Sequence, residues 1–323
     1  MTEAPHASDV PALVRGRPSQ SQASPLDAAL FATLCLVWGL TWWPTKVGAA
    51  HVPPILLAAA RFTIAGALML AWAGRDALGV PRSAWPRLVA TALLVNTGNY
   101  ALLFWGIARA PTGLAAIVNF ATIPVFSLVA SRWLEGEPIG GRRVGAIALG
   151  ALGLALLFST RARAGAATAN GDELAGLAAV ALGTLLYCLG AVLSRPIAAT
   201  LPVVSLAGWQ TLVGGAGLVA LSLAIERVGA AQVRELARWP TLPALAFLVA
   251  AGSLAGFTIY LRLLRDWGAF RAGLYAFVSP AIAVAVGVVV LGERFGWSEG
   301  IGGVLMFAAA AIAFAKPDAS TAR

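Results

Sequence analysis

Residues 35–48, CLVWGLTWWPTKVG, can be laid over residues 184–197, TLLYCLGAVLSRPI, by a shift of 149 positions. The overlay pairs Trp38 with Tyr187, Thr45 with Ser194 and Lys46 with Arg195, and it continues to Arg61 with Gln210 and Gly66 with Gly215. Further along, a shift of 156 pairs Arg109 with Arg265, Pro124 with Pro280, and Gly136-Glu137 with Gly292-Glu293. A longer loop around ERVGAAQVRELARW accommodates the change of seven residues. The chain therefore reads as two copies of one unit.

Composition sets the medium in which those units fold. Of the 323 residues, 59% are hydrophobic and 11% charged, with a mean hydropathy of +0.81. Soluble domains carry about 25% charged residues, so this is an integral membrane protein. Ten apolar blocks of about 20 residues, each long enough to cross a hydrocarbon core of about 30 Å, fall near 28–50, 53–73, 87–107, 112–133, 141–159, 173–194, 202–225, 241–263, 269–291 and 296–315. Each copy holds five blocks, and an odd number of crossings forces the copies into opposite orientations. The expected fold is an all-α polytopic membrane protein with ten transmembrane helices in two inverted five-helix repeats, an architecture that places a site between the repeats near mid-membrane.

The corresponding division is a disordered cytoplasmic tail over 1–26, a first five-helix repeat over 27–160, a second over 172–316 and a cytoplasmic tail over 317–323. Residues 1–26 are rich in Pro, Ser and Ala and lack the apolar core of a signal peptide. With the N-terminus inside, 14 basic residues lie on the cytoplasmic side and 8 outside, while Arg61 stays within a span. That bias favours both termini in the cytoplasm of a multi-pass inner-membrane protein.

The net charge of +9 comes without any basic run of five or more, which argues against a nucleic-acid partner. Cys35 and Cys188 fall inside apolar runs without metal-type spacing, and neither a cofactor nor a metal site is expected. An intramembrane enzyme would need clustered His, Asp, Glu or Cys; His6 and His51 lie outside the spans and all 14 acidic residues fall in tails, loops or span ends. The expected partners are a small-molecule substrate and the lipid bilayer, with no obligate protein partner.

Polar groups at membrane depth usually face a cavity or a partner. On the first helix, Trp38, Thr41, Trp42 and Thr45 share one face, with Lys46 beside it as a candidate cationic rim and Pro44 interrupting the backbone. Arg61 lies about eight residues into the second span, where a charge needs an anion or several acceptors. Further candidates are Asn96, Asn99 and Tyr100, Asn119, Tyr187, Trp209 and Gln210, then Ser253, Phe257 and Tyr260, and finally Tyr275 and Ser279. The 156 shift pairs Asn119 with Tyr275, which are the expected centre of the site. Any one of these can instead serve only as an interhelical hydrogen bond. Pro124 and Pro280, at equivalent positions, are matching hinge or kink candidates, and Glu137 and Glu293 are expected to cap neighbouring helix N-termini or pair with loop arginines.

The stretch WGLTWWPTK, the Arg61-Phe62 pair, the span ending in LEGEP and the second copy RAGLYAFVSPAIAVAVGVVVLGERF together resemble the EamA-type drug/metabolite transporters over roughly residues 28–315. The resemblance implies a secondary carrier for a small metabolite, often an exporter, that works without a nucleotide-binding domain. The expected function is transport of a small amphipathic solute, such as an amino acid or other carboxylate, by alternating access. A channel or a non-transporting receptor with a ligand cavity is the alternative.

Overall fold

The computed structural model describes residues 25–136, 140–168 and 171–314. The expectations for residues 1–24, Glu137 and 315–323 lie outside the described residues. The described chain is helical: α1 Pro25–Ala49, α2 Pro54–Ala73, α3 Arg82–Arg109, α4 Thr112–Glu135, α5 Gly141–Thr168, α6 Gly171–Ala198, α7 Val203–Ile225, α8 Thr241–Trp267, α9 Arg271–Leu291 and α10 Trp297–Phe314. Eight of these, all but α5 and α10, are long and apolar enough to cross a membrane. The apolar stretch of α10 is shorter, Trp297–Ile312, and α5 continues beyond the block expected at 141–159.

Local sequence explains where the helices start, stop and bend. Proline precedes or opens α2, α4 and α7 (Pro53-Pro54, Pro111, Pro202), where its missing N–H leaves no partner unmet. Gly136 and Gly292, 156 positions apart, end α4 and α9 in the left-handed conformation, with φ of +71° and +65°. Within α1 the helix breaks at Thr41. Pro44 cannot donate to the Leu40 carbonyl; the Thr41 hydroxyl instead folds back onto the Trp38 carbonyl at 2.7 Å, and the Thr45 hydroxyl onto that of Thr41 at 2.8 Å. Helices α3 and α8 each contain a widened π-helical turn, Leu93–Gly98 and Leu248–Ala255. The 156 shift brings these turns into register, and turns of this kind are frequent at functional sites.

Packing follows the rule for helices in lipid, where close approach of backbones replaces a hydrophobic driving force. A Cβ on Gly66 of α2 would lie 2.5 Å from the amide nitrogen of Leu212 in α7, and one on Gly215 of α7 would lie 2.7 Å from that of Thr63. The partner position falls as the α2 position rises, so α2 and α7 run antiparallel. The contacts also exchange under the 149 shift, which carries Gly66 to Gly215 and Thr63 to Leu212. Helices α5 and α10 repeat the arrangement, with Gly150 against Ala309 and Gly153 against Met306, exchanged under the 156 shift. Between these two crossings lie two apolar clusters. One, around Ala115, Val118, Leu177 and Ala283, joins α4, α6 and α9; the other, around Leu57, Phe62, Leu218 and Val249, joins α2, α7 and α8.

The outside is apolar, with Leu152, Leu182, Val289 and Val304 exposed. Exposed tryptophans mark both ends: Trp239 and Trp297 at the end where α1 finishes, Trp72 and Trp133 at the opposite end. This distribution matches an aromatic belt at each membrane interface.

Candidate functional site

A cavity of about 380 Å³ lies between the two clusters, walled by α1–α4 and α6–α9; among the described residues, none of α5 or α10 lines it. Trp38, Thr41, Trp42, Arg61, Asn96, Asn99, Tyr100, Asn119, Tyr187, Gln210, Tyr260 and Tyr275, all singled out from the sequence, line it, together with Ser253 and Phe257. The chain has four tyrosines, and Tyr100, Tyr187, Tyr260 and Tyr275 are all in this wall.

Arg61 is buried, and its Nε donates to the Ser253 hydroxyl at 3.1 Å. Its guanidinium carbon sits 4.9 Å from the centre of the Phe62 ring. No ion pair joins Arg61 to a described residue, and no Asp or Glu lines the cavity among the described residues. Among the described residues, the cavity therefore carries one positive charge, at Arg61, that no acidic side chain neutralises.

An aromatic train covers one wall. Trp38 meets Tyr275 edge-on at 4.4 Å between centroids and Tyr260 at 5.5 Å, while Phe120 meets Tyr275 at 5.9 Å and Trp42 at 5.9 Å. The Trp38 indole N–H donates to the Gly252 carbonyl at 3.0 Å, which fastens α1 to the π-helical turn of α8. On the other wall, Asn96 Nδ2 donates to the Gln210 carbonyl at 3.0 Å, and Gln210 Nε2 reaches the Thr91 and Ser194 hydroxyls at 2.8 and 2.9 Å. Asn119 Oδ1 accepts from Thr184 at 2.9 Å, and Asn99 Oδ1 is buried without a hydrogen-bond partner.

Three of the expected residues stand elsewhere. Lys46 donates to the Ile107 and Ala110 carbonyls at 2.8 and 2.7 Å, so its ammonium closes off the C-terminal end of α3 and is not a rim of the cavity. The last carbonyls of a helix have no intrahelical donors, and a cation there satisfies them. Trp209 turns its indole N–H to the Ala77 carbonyl at 2.8 Å and packs edge-on against Trp85, at the opposite end of the bundle. Ser279 is fully buried and donates to the Cys35 carbonyl at 3.2 Å, joining α9 to α1.

Thr45, read from the sequence on the Trp38 face, also lines the cavity, and other lining residues were not expected, among them Phe62, Phe104, Phe120 and Thr211. The repeat held a signal for some of them, because Phe62 is the partner of Thr211 and Phe104 of the expected Tyr260. Carboxylates fasten the end of the bundle that carries Lys46. Glu293 accepts from the Thr112 amide and hydroxyl, both at 2.7 Å, and from the Gly113 amide at 3.2 Å, capping α4 as the sequence suggested. Glu226, which sequence reading passed over, does the same for α2 through the Ile55 and Leu56 amides at 2.8 and 2.9 Å.

A polytopic helical protein with a polar, aromatic, singly charged cavity between its halves belongs to the class of membrane transporters. The sequence matches the EamA-like transporter family over residues 27–159 and 174–315, and the chain belongs to that family. It is a membrane transporter and not an enzyme. Among its relatives, the protein called "Uncharacterized inner membrane transporter YedA" of Escherichia coli K12 is 29% identical over 91% of this chain and 92% of that protein. The "Probable amino-acid metabolite efflux pump" of Salmonella typhimurium LT2 is 26% identical over 87% and 92%. A solved crystal structure with 23% identity shares the fold at a TM-score of 0.58, covering 89% of this chain and 96% of that one.

Proposed function

We propose that this protein is a secondary carrier that moves a small amphipathic, carboxylate-bearing metabolite out across the inner membrane by alternating access. Ten spanning helices in two inverted repeats would provide the machinery, with both termini cytoplasmic. The observation that carries the reading is that positions equivalent under the two shifts face one cavity: Trp38 with Tyr187, Arg61 with Gln210, and Asn119 with Tyr275. The exchanged glycine contacts of α2 with α7 and of α5 with α10 support a two-fold relation between the halves. Rocking of one half against the other around a central site is the motion such a relation permits. The hinge candidates are Pro44, Pro124 and Pro280 and the two π-helical turns, each of which removes or displaces a backbone hydrogen bond. The proposed substrate contacts are the cavity-lining residues named above. Export of a carboxylate-bearing solute is in keeping with the relative named an amino-acid metabolite efflux pump.

Purified protein in liposomes tests this. A carrier gives saturable uptake that is accelerated by unlabelled solute on the far side, a channel gives flux without that acceleration, and a receptor gives no flux. Accessibility of single cysteines in the 227–239 loop tests the orientation, since the inverted arrangement requires that loop outside.

A further inference from the structure

The charge of the cavity lining, among the described residues, is one-sided. None of the four tyrosine hydroxyls, at Tyr100, Tyr187, Tyr260 and Tyr275, forms a hydrogen bond with a described residue, although all four residues line the cavity. They are also absent from the polar atoms that are sealed from solvent without a partner. Four phenolic groups, each able to donate or to accept, are therefore uncommitted in residues that line the cavity. The guanidinium of Arg61 adds to them: Nε is committed to Ser253, while the two terminal nitrogens form no hydrogen bond with a described residue. An arginine presents its donors in a planar fork that matches an oxyanion. Neutral acceptors are present too, at Asn96 Oδ1, Gln210 Oε1, the unpartnered Asn99 Oδ1 and the phenolic oxygens themselves, but none of them carries a charge to balance Arg61. Among the described residues, nothing anionic lines the cavity to meet an ammonium group. The aromatic rings do not form an open cage for one either, because they close on each other at centroid separations of 4.4 to 5.9 Å.

We infer that the cavity selects organic anions: its ligand is an amphipathic carboxylate whose oxygens bind Arg61 and the tyrosine hydroxyls and whose apolar body lies along the Trp38 wall, and an ammonium group adds nothing to recognition. This rests on the cavity being the transport site, and it narrows that reading from carboxylate-bearing solutes in general to those lacking an obligatory positive charge. The physical basis is asymmetric. A carboxylate entering this site meets donors that replace its lost water, whereas an ammonium entering it is desolvated beside a like charge.

The test uses the full-length protein in lipid nanodiscs and four probes sharing one phenylpropyl scaffold: 3-phenylpropionate, 3-phenylpropanol, 3-phenylpropylamine and phenylalanine, with binding read by calorimetry. The expected order has the anion bound about tenfold or more tighter than the alcohol and the amine, the size of a charge-assisted hydrogen bond. Phenylalanine binds no tighter than 3-phenylpropionate. Arg61→Gln, which installs the residue found at the equivalent Gln210, brings the anion to the level of the alcohol measured on the same variant; Arg61→Lys keeps the preference for the anion. The inference is overturned if 3-phenylpropionate fails to bind or binds no tighter than the alcohol, if the amine or phenylalanine binds tighter than the anion, or if folded Arg61→Gln keeps the anion preference. The charge series on the unmodified protein decides the matter even where a variant does not fold. A bound anion that shows no flux or trans-acceleration in liposomes would sink the carrier reading while leaving this one standing.

Discussion

Removing the carboxylate of Glu293 should loosen one end of the bundle. Glu293 follows α9 in the second half of the chain, yet all three of its donors belong to the start of α4 in the first half: Thr112 N and Oγ1 at 2.7 Å each and Gly113 N at 3.2 Å. Hydrogen bonds to a charged group contribute roughly 1.5–3 kcal/mol each, and loss of a helix N-cap costs about 1 kcal/mol. The three bonds share one carboxylate and cannot simply be added, so Glu293→Ala should cost about 3 kcal/mol. Glu293→Gln keeps one acceptor oxygen and loses the charge, and should cost about half as much. Denaturant unfolding in mixed micelles measures the loss, with both variants compared at equal lipid content. A second readout concerns the cavity itself. Thr45 lines its wall on the Lys46 side, so a Thr45→Cys reporter should react faster with a membrane-impermeant maleimide when Glu293→Ala is added. If Glu293→Ala unfolds within about 0.5 kcal/mol of the parent and the labelling rate is unchanged, the carboxylate is not a clasp between the halves and the reasoning fails.

Lys46→Gln should destabilise the fold by about 1–3 kcal/mol by leaving the Ile107 and Ala110 carbonyls without their cation, while the preference of the cavity for solute charge stays as in the parent; unfolding and solute competition on the same preparation check both halves of that statement. Gly215→Leu should be severely destabilising, well beyond the 1–3 kcal/mol typical of overpacking, because its Cβ would press on the α2 backbone at Thr63; yield of monodisperse protein after extraction reports it, and normal yield would contradict the close crossing of α2 and α7.

Reading the sequence located most of the cavity wall because in a membrane the cost of a polar group does much of the sorting. Asn119, Gln210 and the four tyrosines could be identified as out of place in lipid before any helix was packed, and they line the cavity. The same logic failed for Lys46, Trp209 and Ser279, since a polar side chain satisfied by a neighbouring backbone carbonyl looks identical in sequence to one that faces a ligand. Only the packing distinguishes them: the end of α3 lies within reach of Lys46, and the Ala77 carbonyl within reach of Trp209. Phe62, Phe104 and Phe120 were missed for the opposite reason, because an apolar ring carries no penalty in lipid and so gives no signal on its own. The break at Thr41 followed from Pro44, but the π-helical turns did not, since neither LLVNTG nor LVAAGSLA contains a proline.

Symmetry in the backbone and asymmetry in the side chains serve different purposes here. Gly66 and Gly215, Gly136 and Gly292, and the two π-helical turns occupy equivalent positions with equivalent geometry. The equivalent positions that face the cavity differ in chemistry: Arg61 against Gln210, Asn119 against Tyr275, Trp38 against Tyr187, Asn96 against Gly252. A cavity with equal walls would hold a solute equally well in two orientations related by the exchange. One guanidinium on α2, faced by an amide at the matching position of α7, removes that degeneracy, because an anionic group is favoured at only one of the two places. On the proposed carrier reading, the scaffold would present similar paths to both ends of the bundle while the solute kept a single orientation between them. What repeats in the chain is the means of holding helices together, and what does not repeat is the chemistry of the cavity wall.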